Sequence, residues 1–355
     1  MDRNDRAIRI VNSVLGDARG GRWQVVCEYS RLLSQHGFQV LLLLNAARAP
    51  DPGQLPAGVT VEYLRNHGHY DYLAARRARR RLQAFGPDLA IAHCSRSVAL
   101  LKRALGGRVP VVAVTHSDKV RRLLPADAYL PLTAHLAQKI RAAGPPASTR
   151  PCYVVPNMID TGDGRCPPRS RHAPLRIGAL GRFDPVKGFD VFIDALGLLN
   201  RRGVPFQAVL GGSGDEGPRL QSRAEQLGLT GRLEFPGWVD AVDDFMAGID
   251  LLCVPARSDA FGLTPLQAAV AGVPMVLSNA AGHLEMFRDG EQALFSEIGN
   301  AASTAQQIQR LLTDETLSGQ LRQAAYQRVV EQFSTGVVTE KILQAIVSII
   351  DESNK

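Results

Sequence analysis

One pattern constrains this chain more than any other: short apolar runs alternate with longer helix-like stretches along almost its whole length. AIRIVNSVL (7–15), FQVLLLLN (38–45), VTVEYL (59–64), DLAIAHC (88–94), PVVAVTH (110–116) and AYLPLT (128–133) read as strands, and CYVVP (152–156) as the last strand of the first half. Between the first two, Val25, Tyr29, Leu32 and Leu33 fall at helical spacing until Gly37 stops the helix. An arginine-rich helix is expected over 70–85 and another over 98–105. A second series follows: LRIGALG, FQAVLGG, LEFPGW, DLLCVPA, PMVLSN and ALFSE as strands, with helices over 187–202, 218–228, 241–248 and 264–271 and helical segments from 301 onward. Near-continuous apolar strands alternating with helices predict parallel sheets covered on both faces. The fold class is therefore α/β, with two doubly wound, Rossmann-like domains. The boundaries read 1–160, a Gly/Pro/Arg-rich linker over 161–174, 175–335, and a C-terminal helix over 336–355 packing back on the first domain. Such sheets bind ligands outside the carboxyl ends of their strands, so a cleft between two facing domains is the expected active site.

Length and composition agree with two ordered domains: 355 residues, 45% of them hydrophobic. No apolar run approaches the ~18–20 residues of a membrane span, and the start, MDRNDRAIRI, is charged where a secretory signal is apolar. These features point to a cytoplasmic protein. The five cysteines (27, 94, 152, 166 and 253) show no metal or redox spacing and read as reduced, mostly buried thiols. Charge is uneven: residues 1–165 carry 24 Lys+Arg against 12 Asp+Glu, and the rest 17 against 22, giving a basic first half and an overall +7.

Several motifs sit at strand ends. GGSGDEG (211–217) holds G-x-G-x-x-G at Gly212, Gly214 and Gly217, with Glu234 twenty residues past Gly214. It follows the second strand of its domain rather than the first, so a loop near a nucleotide is favoured over a dehydrogenase fingerprint. In GRFDPVKG (181–188), Arg182 and Lys187 bracket a strand-to-helix turn, two cations suited to a diphosphate. In DARGGRWQ (17–24), Gly20 and Gly21 open a helix and let backbone approach a ligand. His116 and His93 end strands and can face the same cleft, or serve the core. RRARRR (76–81) puts Arg76, Arg77, Arg79, Arg80 and Arg81 on one helix, with Tyr72, Leu73, Leu82 and Phe85 expected as its apolar edge. That fits an anionic membrane surface, an acidic acceptor or a solvated face. A nucleic-acid partner is not expected, since no aromatic platform or zinc spacing accompanies the charge.

With these residues in view, the chain resembles the family 4 retaining glycosyltransferases of the GT-B fold. The resemblance runs through the GG loop, PDLAIAHC, PVVAVTH, VVPNMID, GRFDPVKG, FPGW, SDAFG, AGVPMVLS and RDGEQAL, in the family's order. It implies transfer of a sugar from a nucleotide-diphosphate donor with retained configuration and no obligatory metal or other cofactor. Arg182 and Lys187 match the basic pair that holds the diphosphate. SDAFGLTPLQAA (258–269) matches a motif of two glutamates eight positions apart around F-G, of which the first meets donor-sugar hydroxyls and the second the ribose. Those positions are Asp259 and Gln267 here: the charge is kept one methylene shorter at the first, and an amide replaces the acid at the second. The amides of Phe261, Gly262, Leu263 and Thr264 would face donor oxygens, and His116 would line the acceptor side and contact the sugar. Trp238 is expected near the base or in the core.

The expected function is a cytoplasmic or peripheral inner-membrane enzyme that adds a hexose-type sugar to a growing envelope glycan, such as a lipopolysaccharide core or a lipid-linked saccharide, with residues 1–160 on the acceptor side. The alternatives are a degenerate scaffold that has lost turnover, and a dehydrogenase.

Overall fold

The computed structural model describes residues 6–18 and 20–353. The chain divides into two compact units, Met1–Asn157 with Val338–Lys355, and Met158–Val337. In the N-terminal unit the strands β1 (Arg9–Val14), β2 (Gln39–Asn45), β3 (Thr60–Leu64), β4 (Leu89–Ala92), β5 (Val111–Thr115) and β6 (Ala128–Pro131) form one sheet in the order 3-2-1-4-5-6. Every pairing is parallel, with Ile10 opposite both Val40 and Leu89. Helices α1 (Gly20–Gln35), α2 (Tyr72–Phe85), α3 (Ser95–Leu105) and α4 (Ala134–Arg141) cover it. The strands carry apolar side chains on both faces, and Ile10, Leu42, Ile91 and Val112 are fully or almost fully buried.

The C-terminal unit repeats this topology. Its strands β7 (Arg176–Leu180), β8 (Gln207–Gly211), β9 (Leu233–Glu234), β10 (Leu251–Val254), β11 (Met275–Ser278) and β12 (Leu294–Ser296) lie in the order 12-11-10-7-8-9. Helices α5 (Phe189–Arg201), α6 (Gly217–Gln226), α7 (Val242–Ala247), α8 (Leu263–Val270), α9 (Ala281–Met286), α10 (Ala301–Thr313) and α11 (Glu315–Phe333) flank it, and α12 (Thr335–Ser353) ends the chain. In each sheet the winding reverses beside the first strand: between β1 and β4, and between β7 and β10. Within each unit, the loops that leave the two carboxyl ends diverge and open a crevice in that unit's own sheet.

The structure corrects several details. CYVVP forms no strand of its own; it follows β6 through Tyr153 N–H to Tyr129 O (3.0 Å) and Val155 N–H to Pro131 O (2.9 Å) with a single bridge at Cys152. Pro151 and Pro156 lack the N–H groups a longer ladder requires. Pro236 likewise limits LEFPGW to the two residues of β9. Helices α4 and α9 were not expected. On α2 the buried face is Ala74, Ala75, Ala78 and Leu82, whereas Tyr72 and Leu73 are 67% and 68% exposed. The alanines let α2 lie close against the sheet and α3, and the larger residues face out. Segment 161–174 carries no regular element, but arginines tie it to the C-terminal unit: Arg169 donates to Ala271 O (3.1 Å) and Met246 O (3.0 Å), and Arg171 to Leu312 O (3.0 Å).

The glycine string 211–217 also has a structural explanation. Gly212 sits at φ +138°, and a Cβ there would lie 1.9 Å from Gly181 O, while Phe183 N–H donates to Ser213 O at 2.8 Å. The loop after β8 is thus packed backbone-to-backbone on the loop after β7. Gly217, at the first position of α6, has only ordinary contact with the Phe183 ring, at 3.5 Å. Gly212→Ala is expected to lower stability by at least ~2 kcal/mol, and Gly217→Ala to be neutral or stabilising by up to ~1 kcal/mol. Denaturant midpoints of the two variants check this contrast, which a dinucleotide fingerprint would not produce, because its third glycine is needed for close packing.

Candidate functional site

At the switch point of the C-terminal sheet, two loops bring a cation and an acid together. After β7 the chain makes a short turn, Pro185–Lys187, whose Asp184 side chain accepts from Val186 N–H (3.1 Å). Gly188 ends the turn at φ +67°, where a Cβ would stand 2.2 Å from Pro255 O in the loop after β10. Only glycine allows that approach. The two loops are then joined by Arg257 N–H to Val186 O (2.8 Å) and by a two-pronged contact of the Arg257 guanidinium with Asp190 (2.7 and 2.6 Å). This clamp places Lys187 Nζ 2.8 Å from Asp259 Oδ2.

The Asp259 side chain is only 10% exposed. Burial raises its pKa, but the charge of Lys187 and the facing His283 outweigh burial and hold the carboxyl well below the usual carboxylate range. His283 is fully buried; its Nδ1 donates to Ser278 O (2.9 Å), and its Nε2 stands 3.8 Å from Asp259 Oδ2, too far for a hydrogen bond. Oδ2 is therefore engaged, and Oδ1 is the carboxylate oxygen left for other partners.

The remaining expected residues distribute around this pair. Gly262 caps the N-terminus of α8 without any side-chain cap, and Asp259 Oδ2 lies 3.2 Å from the position of a Cβ on Gly262. The carboxylate thus sits against the positive end of the helix, whose first-turn amides belong to Leu263 and Thr264. Gln267 lies one turn further along, half-buried. The ring of Phe261 is buried edge-on to Phe333 at 5.2 Å, so its side chain serves the core and only its backbone amide is a candidate for the site. Arg182 is not in the ion pair; its side chain is 65% exposed and, among the described residues, reaches Asp184 at 3.4 Å. Trp238 is no core residue, being 50% exposed with its indole N–H donating to Asp240 Oδ1 (3.0 Å).

In the N-terminal unit, Gly20 opens α1 at φ +61°, and Gly21 is exposed in its first turn. His93, after β4, is 1% exposed, and His116, after β5, is half-buried; His93 Nδ1 and His116 Nε2 are 2.9 Å apart. Tyr29 from α1 packs edge-on to His93 at 5.0 Å, and Asn12 from β1 donates to Val26 O and Ser30 Oγ. Burial drives both histidines toward the neutral form, His93 well below its ordinary value and His116 to about 3, with the positive charge of Arg22 adding to the effect.

The family described as "Glycosyl transferases group 1" matches residues 167–328, and "Glycosyltransferase Family 4" matches residues 19–163. The chain belongs to these glycosyltransferases. Among relatives of this glycosyltransferase, the lipopolysaccharide core biosynthesis glycosyltransferase LpsE of Rhizobium meliloti is 27% identical over 267 residues, 74% of this chain and 76% of LpsE. Phosphatidyl-myo-inositol mannosyltransferase of Mycobacterium leprae is 27% identical over 282 residues, 77% of this chain and 70% of that protein. The crystal structure of Anabaena HepE in complex with UDP and glucose superposes with a TM-score of 0.82 at 18% identity, covering 96% of this chain and all of HepE. Sucrose-phosphate synthase from Thermosynechococcus elongatus gives 0.83 at 17% identity, covering 97% of this chain and 100% of that one. Both likenesses establish the GT-B fold.

Sequence reading of this glycosyltransferase missed His283, Arg257 and Asp190. The first is a lone histidine just beyond a buried strand, and the other two form a pair that only the fold brings together. The ion pair carries a pH-dependent consequence. Asp259→Asn removes the partner of Lys187, and since that lysine is 31% exposed the expected loss is about 1–3 kcal/mol, below that of a fully buried pair. A depressed pKa stabilises above the unfolded value and is lost as pH falls through the folded one. The stability gap between the unmodified protein and Asp259→Asn should therefore stay flat from pH 8 to about 4 and close only below that, as denaturant titrations at each pH would show.

Proposed function

We propose that this glycosyltransferase moves a hexose-type sugar, with retention of configuration, from a nucleotide-diphosphate donor to a hydroxyl of a cell-envelope glycan or glycolipid. The observation that carries the reading is the ion pair of Lys187 with Asp259 against the uncapped N-terminus of α8, with the exposed Arg182 on the preceding turn. The ammonium of Lys187 has three donors, so it can hold Asp259 and a phosphoryl oxygen together. Arg182 supplies a second cation to the diphosphate. Asp259 Oδ1 accepts from sugar hydroxyls, Gln267 meets the ribose, and Trp238 offers a ring beside the base. From the N-terminal unit, Gly20, Gly21 and His116 are assigned to the sugar being transferred and its acceptor.

In the reaction, the acceptor oxygen bonds to the anomeric carbon on the face from which the diphosphate departs. The electron pair of the breaking C–O bond leaves with the nucleoside diphosphate, and a departing phosphate oxygen takes the acceptor's proton. Negative charge grows on the leaving group, and Lys187, Arg182 and the α8 amides stabilise it without reorganising. We assign this task to the basic pair rather than to a divalent ion, which turnover in the presence of a chelator tests.

The names of LpsE and the mannosyltransferase, with lipopolysaccharide core in one and phosphatidyl-inositol in the other, support an acceptor of the envelope. HepE's UDP makes uridine diphosphate the first ligand to try. UDP, GDP and ADP should differ in thermal shift, one of them stabilising by about 2.7 kcal/mol at ~100 Kd. Arg182→Ala should lower kcat/KM about 10²–10³-fold with an unchanged melting midpoint. No shift with any nucleotide would favour the scaffold reading.

The α2 surface fits an anionic membrane. Arg76, Arg77, Arg79 and Arg80 are exposed, whereas Arg81 pairs with Glu62 at 2.7 Å. Arg76, Arg79, Arg80 and Arg103 line a concavity of about 510 Å³ with Tyr72, and Tyr70 beside it is 77% exposed. Each arginine near an acidic bilayer is worth about 1 kcal/mol, and the tyrosines suit the headgroup layer. The protein should pellet with phosphatidylglycerol-containing vesicles and not with phosphatidylcholine alone. Reversing Arg76, Arg79 and Arg80 to Glu should abolish pelleting; equal pelleting of both proteins would exclude this surface. No helix among the described residues is long and apolar enough to cross a membrane.

A further inference from the structure

The two histidines at the ends of β4 and β5 are coupled, and their coupling determines what His116 offers a ligand. His93 Nδ1 and His116 Nε2 stand 2.9 Å apart with the rings inclined by 26°. Two nitrogens at that distance share one proton, so the pair has two neutral arrangements. In one, His93 donates from Nδ1, its Nε2 is a bare lone pair, and His116 carries its proton on Nδ1. In the other, His116 donates from Nε2, its Nδ1 is bare, and His93 must carry a proton on Nε2.

The environment of His93 separates the two. Its Nε2 is buried and has no hydrogen-bond partner among the described residues. An orphaned buried N–H is rarer and more costly than an acceptor left short of a donor. Among the described residues, Tyr29 and Arg22 from α1 are the titratable and charged groups about the pair, and neither hydrogen-bonds that nitrogen. We propose that His93 is a positioning residue that fixes His116 as the tautomer protonated on Nδ1. His116 then meets a ligand oxygen as a neutral hydrogen-bond donor. Its one basic nitrogen is occupied by His93, so it does not remove a proton from the acceptor.

The consequence for the reaction rests on the assignment of His116 to the transferred sugar and its acceptor; the tautomer itself does not. Imidazole nitrogen shifts in long-range ¹H–¹⁵N spectra of histidine-labelled full-length protein distinguish the tautomers directly. Loss of one ring's signals in His116→Asn assigns them. The unmodified protein is expected to show His116 protonated on Nδ1, unchanged between pH 5 and 8. An Nε2-protonated His116, or a ring titrating in that range, overturns the proposal whatever the activity. If His93→Phe folds, its His116 should become a mixture of tautomers and kcat should fall up to about tenfold, with the donor KM unchanged. His93→Asn keeps a donor near the Nδ1 position and should restore both the tautomer and the rate. Full activity of His116→Ala would instead overturn the functional assignment, leaving the spectroscopic result to stand or fall separately.

Discussion

Backbone packed directly on backbone is what the C-terminal site depends on. Gly212 rests on the carbonyl of Gly181, and Gly188 on that of Pro255, so three loops at neighbouring strand ends stack with no side chain between them. That stacking brings the turn bearing Lys187 over the loop bearing Asp259, and Arg257 with Asp190 locks the pair of loops in register. The ion pair is then a product of the close approach. A carboxylate buried without Lys187 would carry an uncompensated desolvation cost, and a lysine displaced by one bulky residue could not reach it.

The two units treat polar groups differently. In the C-terminal unit, burial is overcome by the adjacent Lys187 and the facing His283, so Asp259 stays ionised. In the N-terminal unit, no carboxylate among the described residues is paired to His93 or His116, and burial keeps both rings neutral. One crevice is equipped with fixed charge and the other with uncharged donors and acceptors.

Much of the architecture was legible because both sheets are parallel and buried on both faces, which leaves strands as unbroken apolar runs between helices. The reading failed where prolines interrupt a ladder, at CYVVP and LEFPGW, and where helices are short. Thr133 before Leu136, Ala137 and Ile140 was a readable start for α4, since its hydroxyl accepts from Leu136 N–H, but the eight-residue helix is too brief to declare a period. Within the proposed site, Arg182 and Lys187 could be named from their positions at a strand end, and Asp259 from the resemblance of its motif. Their inequality could not: Lys187 is neutralised within the fold, whereas Arg182 extends into solvent, a distinction made by Gly188 and Pro255, which are 67 residues apart. Phe261 shows the same limit, because the packing of its ring against Phe333, far along the chain, could not be read from the motif.

The only two tryptophans of the chain fall one in each unit. Trp23, in the first turns of α1, is 7% exposed, and Trp238, beside the β9 strand end, is 50% exposed. The protein therefore contains two optical labels of opposite character: a shielded indole emitting toward the blue and a wetted one toward the red. A soluble quencher would extinguish Trp238 and spare Trp23, so the intrinsic fluorescence of the unmodified chain resolves into one signal from each crevice-bearing sheet.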